Sequence, residues 1–256
     1  MLWEKFKLDN KIAIVTGSGR GLGKEMALAL AEAGADLVVT SRTREEIDAV
    51  AREIQGLGRR AIAVPMDVTK QDDVDGMVAK AVDEFGKIDI LVNNSGTLLQ
   101  RNFLEHTLED WDILINTNFR SMFFCTQAVG RHMVEQGHGK IINMTSMNAL
   151  RPRPKCSVYD STKGAIITLT KALAREWARY HINVNAIAPG YFLTPLVQSL
   201  LDRDGVDPKA VGEQFIPLGR VGRPEEMGPL VVYLASSASD YMTGEIILVD
   251  GGEMVH

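Results

Sequence analysis

Short apolar runs rich in β-branched residues recur along the chain, at residues 11–16, 37–40, 61–65, 88–93, 140–145, 182–188 and 245–249. Each is nearly continuous rather than alternating. That is the pattern of strands covered on both faces, as in a parallel sheet. Between them lie stretches of helical periodicity at 22–33, 44–57, 71–85, 109–135, 158–179 and 224–235, with Gly34 and Gly86 as helix stops. Strand and helix in strict alternation imply right-handed crossovers, hence an α/β fold built on a doubly wound parallel sheet with helices on both faces. No linker or low-complexity stretch interrupts the order, so residues 1–256 read as one domain. The rhythm lapses once. Residues 190–222 carry three prolines (Pro195, Pro208 and Pro217) and weak periodicity, which predicts an irregular lid or binding loop.

Composition narrows the class. The 256 residues are 45% apolar and 24% charged, which excludes a disordered or fibrous chain. The net charge of −5 excludes a uniformly basic nucleic-acid surface. Two cysteines, Cys125 and Cys156, make neither a disulfide framework nor a zinc cluster, and they suit a reducing compartment. Charges interrupt the N-terminal stretch and no apolar run reaches membrane-spanning length. The expectation is a cytoplasmic protein with no membrane, nucleic-acid or metal partner.

The first strand ends in Thr16-Gly17-Ser18-Gly19-Arg20-Gly21-Leu22-Gly23 and a helix pattern follows at once. Glycines there permit a tight turn and close approach of a pyrophosphate, and the helix N-terminus offers free N–H groups. The spacing, with Gly17, Gly21 and Gly23, is not the commoner G-x-G-x-x-G, and it also fits an ordinary strand-to-helix turn. In an NAD site the second strand usually ends in a carboxylate for the ribose 2′-hydroxyl. Here it ends in Ser41-Arg42, and Asp36 lies at the opposite end. With Arg20 nearby, a hydroxyl and guanidinium groups suit a 2′-phosphate, which favours NADP(H).

Tyr159 and Lys163 stand four apart in a helical stretch, on one face. A nearby ammonium favours the phenolate and is expected to lower the tyrosine pKa towards neutrality. Ser146 follows the fifth strand and Asn93-Asn94-Ser95-Gly96 the fourth, at the carboxyl edge where such sheets bind ligands.

Taken together, these residues resemble the short-chain dehydrogenase/reductase family over essentially the whole chain. The resemblance rests on the Thr16–Gly23 turn, Asp67-Val68, Asn93–Gly96, Asn118, Ser146, Tyr159, Lys163 and Pro189-Gly190. It implies a seven-stranded parallel Rossmann-type sheet, a homotetramer, and interconversion of a ketone and a secondary alcohol. Tyr159 would exchange a proton with the substrate oxygen and Ser146 would orient that oxygen. Lys163 would hold the nicotinamide ribose, and Asn118 a water on a proton path. Gly17 to Gly23, Ser41 and Arg42 would face the phosphates. Asp67 and Val68 would lie at the adenine, Asn93 and Gly96 near the adenosine-side ribose, and Pro189, Gly190 and Thr194 at the nicotinamide amide and phosphates. Asn93-Asn94-Ser95-Gly96 departs from the more usual Asn-Asn-Ala-Gly, and Leu22 stands in place of a frequent isoleucine.

The substrate is less legible. Arg151, Arg153 and Lys155 alternate around prolines between Ser146 and Tyr159, either to bind a substrate anion or as a solvated loop. Arg101 and His106 face the same choice, with His106 read as a surface or helix-start residue. The chain is most similar to sugar-acid members of the family, gluconate 5-dehydrogenases and deoxygluconate dehydrogenases. Those often carry paired arginines where Leu98-Leu99-Gln100-Arg101 stands. The missing pair counts against a polyhydroxy acid, makes that wall more apolar and admits a less polar ketone or keto ester. The alternatives are 3-oxoacyl-acyl-carrier-protein reductase and, more remotely, a non-catalytic NADP-sensing regulator, which would not need both Tyr159 and Lys163.

Overall fold

A computed structural model describes residues 1–255; His256, the last residue of the expected domain, lies outside the described residues. Among the described residues seven strands form one parallel sheet in the order β3-β2-β1-β4-β5-β6-β7. They are β1 (Ile12–Thr16), β2 (Asp36–Ser41), β3 (Ala61–Pro65), β4 (Ile90–Asn93), β5 (Gly139–Met144), β6 (Ile182–Pro189) and β7 (Ile246–Val249). The order reverses between β1 and β4, so two loops diverge there and leave a crevice at the carboxyl edge.

The sheet has helices on both faces because its strands are apolar on both. Within β1, Ala13 and Val15 join one core and Ile14 the other. The first core packs under α1 (Gly21–Glu32), α2 (Arg44–Gly56) and, late in the chain, a helix at Gly228–Ala235. The second packs under α3 (Gln71–Phe85), a helix at Ser121–Gln136, and another at Ser157–Trp177.

Two expectations need correction. The single long helix expected at 109–135 is divided into α4 (Leu108–Ile115), a π-helical turn (Asn116–Arg120) and α5 (Ser121–Gln136). One extra residue in that turn moves Asn118 inward, where it is 1% exposed. The stretch at 190–222 is not irregular. After α6 (Ser157–Trp177) and β6 it holds α7 (Pro195–Asp204) and α8 (Pro208–Phe215), before α9 (Gly228–Ala235). Each of α7 and α8 begins with a capping side chain and a proline in its first turn: Thr194 accepts from the Val197 N–H and Asp207 from the Lys209 N–H. The prolines that read as breakers are helix starts. Gly86 is a left-handed helix cap as expected, and Gly34 stops α1 as expected: it follows the cap residue Ala33 with φ of +112°, and the Ala35 N–H donates back to the Leu30 carbonyl at 3.0 Å.

Candidate active site

The crevice at the sheet reversal opens into a cleft of about 450 Å³, floored by the ends of β1, β4 and β5 and roofed by the chain after β6. One end of it is the glycine turn. Gly17 and Gly21 have φ of +64° and +58°, the left-handed region that glycine adopts without strain. A Cβ on Gly23 would come within 2.3 Å of the Gly17 carbonyl oxygen, so the turn closes only with glycine there. Asn94 holds the turn shut: its carboxamide donates to the Thr16 and Gly17 carbonyls at 2.9 and 3.1 Å. Helix α1 then starts with no side-chain cap, unlike α4, α7 and α8, and with no acid in its first turn, unlike α4. Its first N–H groups and the positive end of its dipole are left to whatever enters the cleft.

Beyond the turn, Thr40, Ser41 and Arg42 form the wall at the end of β2. Arg42 is exposed and makes no ion pair among the described residues. Asp36 is indeed at the far end of β2, paired with Arg59 at 2.9 Å. Asp67 and Val68 line the cleft after β3. Burial pushes the Asp67 carboxyl up, but the Thr69 hydrogen bonds and the charges of Arg42 and Lys70 outweigh it and hold the group low. The residues fit a dinucleotide: there is a glycine cradle a Cβ would fill, an uncapped helix start, and a buried Thr40 Oγ1 without a partner in the cleft wall.

At the other end Ser146, Tyr159 and Lys163 converge. Ser146 comes from the turn after β5, where its Oγ accepts from the Asn148 N–H at 3.2 Å. Tyr159 and Lys163 come from the first turns of α6, with the ammonium 5.7 Å from the phenol ring centre. The Lys163 Nζ donates to the Met144 carbonyl at 2.9 Å, and the Thr145 hydroxyl donates to the Lys163 carbonyl at 2.7 Å, so α6 is fastened to β5 at the reacting end. Asp160 faces the other way. Its carboxylate accepts from the Asn148 side chain at 3.0 Å and the Arg153 N–H at 2.8 Å, tying the loop between Ser146 and Tyr159 onto α6.

The electrostatics differ from the expectation. In the chain alone burial pushes the Tyr159 phenol up to about 12, opposed by its hydrogen bond with Ser146, and burial brings Lys163 down to about 8. Both groups lose water, and that loss exceeds any help the ammonium gives the phenolate.

Of the residues expected around a cofactor, Gly17, Gly19, Arg20, Gly21, Leu22, Gly23, Ser41, Arg42, Asp67, Val68, Gly96, Pro189, Gly190 and Thr194 line the cleft. Two do not. Ser18 is fully buried, its hydroxyl accepting from the Thr40 N–H at 2.8 Å and so joining β1 to β2. Asn93 points into the sheet, donating to Thr126 and Asn143 at 2.9 Å each, and its neighbour Asn94 faces the cleft instead. Asn118 sits behind the wall. It accepts from the Thr97 N–H at 2.7 Å and donates to the Thr97 carbonyl and the Thr162 hydroxyl at 3.0 and 3.2 Å. The Cβ site of Gly96 lies 3.4 Å from the Asn118 Oδ1 and 3.6 Å from the Lys163 Nζ, so both converge on that glycine.

The loop cations do not line the cleft. Arg153 pairs with the buried Glu253 and the Tyr191 hydroxyl, and Arg151 donates to the Glu253 carbonyl at 3.2 Å. Arg101 pairs with Asp110 at 3.2 Å. His106 does precede α4, but its side chain is 6% exposed rather than a surface group. From the stretch at 190–222, Phe192, Leu196 and Val197 enter the cleft wall, while Tyr191 is held by Arg153 and Leu193 is exposed. Thr40, Glu46, Ile113 and Thr117 also line it, and no local signal in the chain marks them. They are brought there by the crossing of separate elements, not by a local motif.

A doubly wound parallel sheet with a glycine cradle at its reversal and a serine, tyrosine and lysine converging beside it defines a dinucleotide-dependent oxidoreductase. Residues 17–253 match the family model described as enoyl-(acyl carrier protein) reductase. The chain is 43% identical to 2-dehydro-3-deoxy-D-gluconate 5-dehydrogenase of Escherichia coli over 98% of each chain. It is 34% identical to a 3-oxoacyl-[acyl-carrier-protein] reductase of Thermotoga maritima, over 97% of this chain and all of that one. A gluconate 5-dehydrogenase of Burkholderia cenocepacia, solved in complex with NADP and tartrate, superposes with a TM-score of 0.94 at 38% identity, over the full length of both. The chain belongs to the short-chain dehydrogenase/reductase family, enzymes that use a nicotinamide cofactor to act on CH–OH groups. No helix among the described residues is long and apolar enough to cross a membrane.

Proposed function

We propose that this enzyme is an NADP(H)-dependent carbonyl reductase that interconverts a small ketone and its secondary alcohol. The observation that carries the reading is the convergence of Ser146, Tyr159 and Lys163 in one cleft with an uncapped helix start and the unpaired Arg42. The bound nicotinamide supplies the hydride for reduction, or takes it in the reverse direction.

The chain's own residues do the rest. Tyr159, held protonated through neutral pH by burial, donates its phenolic proton to the substrate oxygen. Ser146 donates a hydrogen bond to the same oxygen and fixes its place. Lys163, still largely cationic at pH 7, stabilises the phenolate left behind. Asn118 keeps the Thr97 backbone and α6 in register behind Lys163 and stands at the start of a proton path. Arg42, Arg20 and Ser41 receive the 2′-phosphate, and the segment at 190–222 closes over the substrate with Phe192, Leu196 and Val197.

Arg20, Arg42 and Lys163 are the cations in the cleft wall among the described residues, and this reading assigns all three to the cofactor or the proton. Ile113, Phe192, Leu196 and Val197 add an apolar part to the wall and no further cation is left for a substrate anion, which favours a neutral ketone or keto ester. Similarity to the gluconate enzymes favours a second reading, a sugar acid such as 5-ketogluconate. A homotetramer is supported by Leu108, Trp111 and Phe123, exposed apolar residues on α4 and α5 of the kind subunits bury. A cytoplasmic location suits the two free, buried cysteines.

The test is a panel of ketones, keto esters, sugar acids and acyl thioesters with NADPH, run on the wild type and Tyr159→Phe. Turnover should appear with the ketones and keto esters and vanish in Tyr159→Phe with NADPH binding unchanged. Near wild-type rates in that variant would overturn the acid/base role. Turnover confined to acyl thioesters would make the enzyme a 3-oxoacyl reductase.

A further inference from the structure

Glu46 is the one carboxylate besides Asp67 in the wall of the cleft among the described residues, and no step above uses it. It comes from the first turn of α2, five residues past the end of β2. Its side chain lies directly on the glycine turn. A Cβ at Gly19 would fall 2.6 Å from the Glu46 Oε2 and 3.1 Å from the Ser41 Oγ, so carboxylate and hydroxyl share one spot. The Arg20 guanidinium approaches the same carboxylate at 3.6 Å, while Arg20 itself is 71% exposed.

Arg20 and Ser41, two of the three groups that would meet a 2′-phosphate, thus lie beside an anion the protein already carries. Arg20 cannot serve the phosphate fully without giving up Glu46, and a phosphate beside Ser41 stands against a like charge. Ribose hydroxyls have the opposite relation to Glu46, which can accept hydrogen bonds from them as a strand-end carboxylate does in an NAD site. We infer that Glu46 sets cofactor discrimination: it weakens the 2′-phosphate site and keeps NAD(H) within reach. The inference rests on the NADP(H) reading above and deepens it.

Calorimetry tests it with NADPH, NADH and the fragments 2′-AMP and 5′-AMP, on the wild type, Glu46→Gln and Arg20→Gln/Glu46→Gln. Glu46→Gln keeps the shape and removes the charge. It should tighten NADPH and 2′-AMP about tenfold, the effect of one screened unit charge at close range. NADH and 5′-AMP should weaken or stay within about twofold, and the gain should shrink as salt is added. In the double variant most of the gain should disappear, because Arg20 is the group released. An unchanged NADPH-to-NADH ratio in Glu46→Gln, or looser 2′-AMP binding, overturns the inference. The NADP(H) reading fails separately: it falls if NADH binds at least as tightly as NADPH to Glu46→Gln as well as to the wild type.

Discussion

Replacing Lys163 with methionine should make the protein more stable at neutral pH while abolishing its turnover. The side chain is 5% exposed, and its ammonium finds one protein acceptor, the Met144 carbonyl. Burial brings its pKa from 10.5 to about 8. That fall of about 2.5, at roughly 1.36 kcal/mol for each pH unit, is a penalty of about 3 kcal/mol on folding while the group is charged in both states. Methionine fills a similar volume without the charge. It leaves the Met144 carbonyl without that donor, a loss of about 1 kcal/mol. The net gain is about 2 kcal/mol at pH 7, or about 6 °C in Tm for a domain of this size. The sign reverses the usual lysine case. Because the folded pKa is depressed, the unfolded chain binds more protons between about pH 8 and 10.5, so wild-type stability rises with pH across that window. The advantage of Lys163→Met should therefore shrink above pH 8 and be nearly gone by about pH 10. Urea unfolding of both proteins at a series of pH values reads this directly. A variant less stable than wild type at pH 7, or a gap that does not change with pH, would refute the reasoning.

Two further outcomes follow from the geometry. Gly23→Ala places a methyl group 2.3 Å from the Gly17 carbonyl and 2.4 Å from the Asn94 amide, so the turn must open; the strain costs about 1–3 kcal/mol, and NADPH affinity by calorimetry should fall at least tenfold, roughly 1.4 kcal/mol or more. Asp89, 2% exposed at the amino edge of the sheet, accepts from the Ile12 N–H and faces His138, Lys87 and Lys11 at 2.9, 3.0 and 3.1 Å. Burial raises its carboxyl and these partners more than offset it, so the folded pKa lies below the unfolded one. Its stabilisation is present above the unfolded value and is lost as pH falls through the folded one. Asp89→Asn should cost about 3 kcal/mol at neutral pH, the low end for a broken buried pair since the cations stay partly hydrated, and should flatten the acid limb of a Tm-against-pH curve. An equally steep acid limb in the variant would remove Asp89 from that account.

The alternation of apolar runs and helical stretches was enough for the sheet. Strands covered on both faces must be continuously apolar, and that signal is local, so β1 to β7 lie within a few residues of their expected places. The glycine turn and the Tyr159–Lys163 pair were legible for the same reason: each is set by spacing within a single turn or helix. The interrupted helix was not. A π-helical turn at Asn116–Arg120 leaves the side-chain pattern almost intact, and only the packing of α4 and of the turn itself against α6 reveals it. The helices α7 and α8 were hidden because Pro195 and Pro208 read as breakers from the chain and act as first-turn residues once Thr194 and Asp207 cap them.

What the sequence determined alone was the chemistry available: a cradle, a phenol, an amine and a hydroxyl at the carboxyl edge of one sheet. Tertiary structure decided which of these meet and in what medium. It turned Asn93 into the sheet and Asn94 outward, neutralised Arg153 with Glu253 from 100 residues away, and set Glu46 over Gly19. It also reversed the expected direction of the Tyr159 shift. Spacing places an amine near a phenol, but the cost of removing water from both depends on every element packed around them, and no local pattern encodes that.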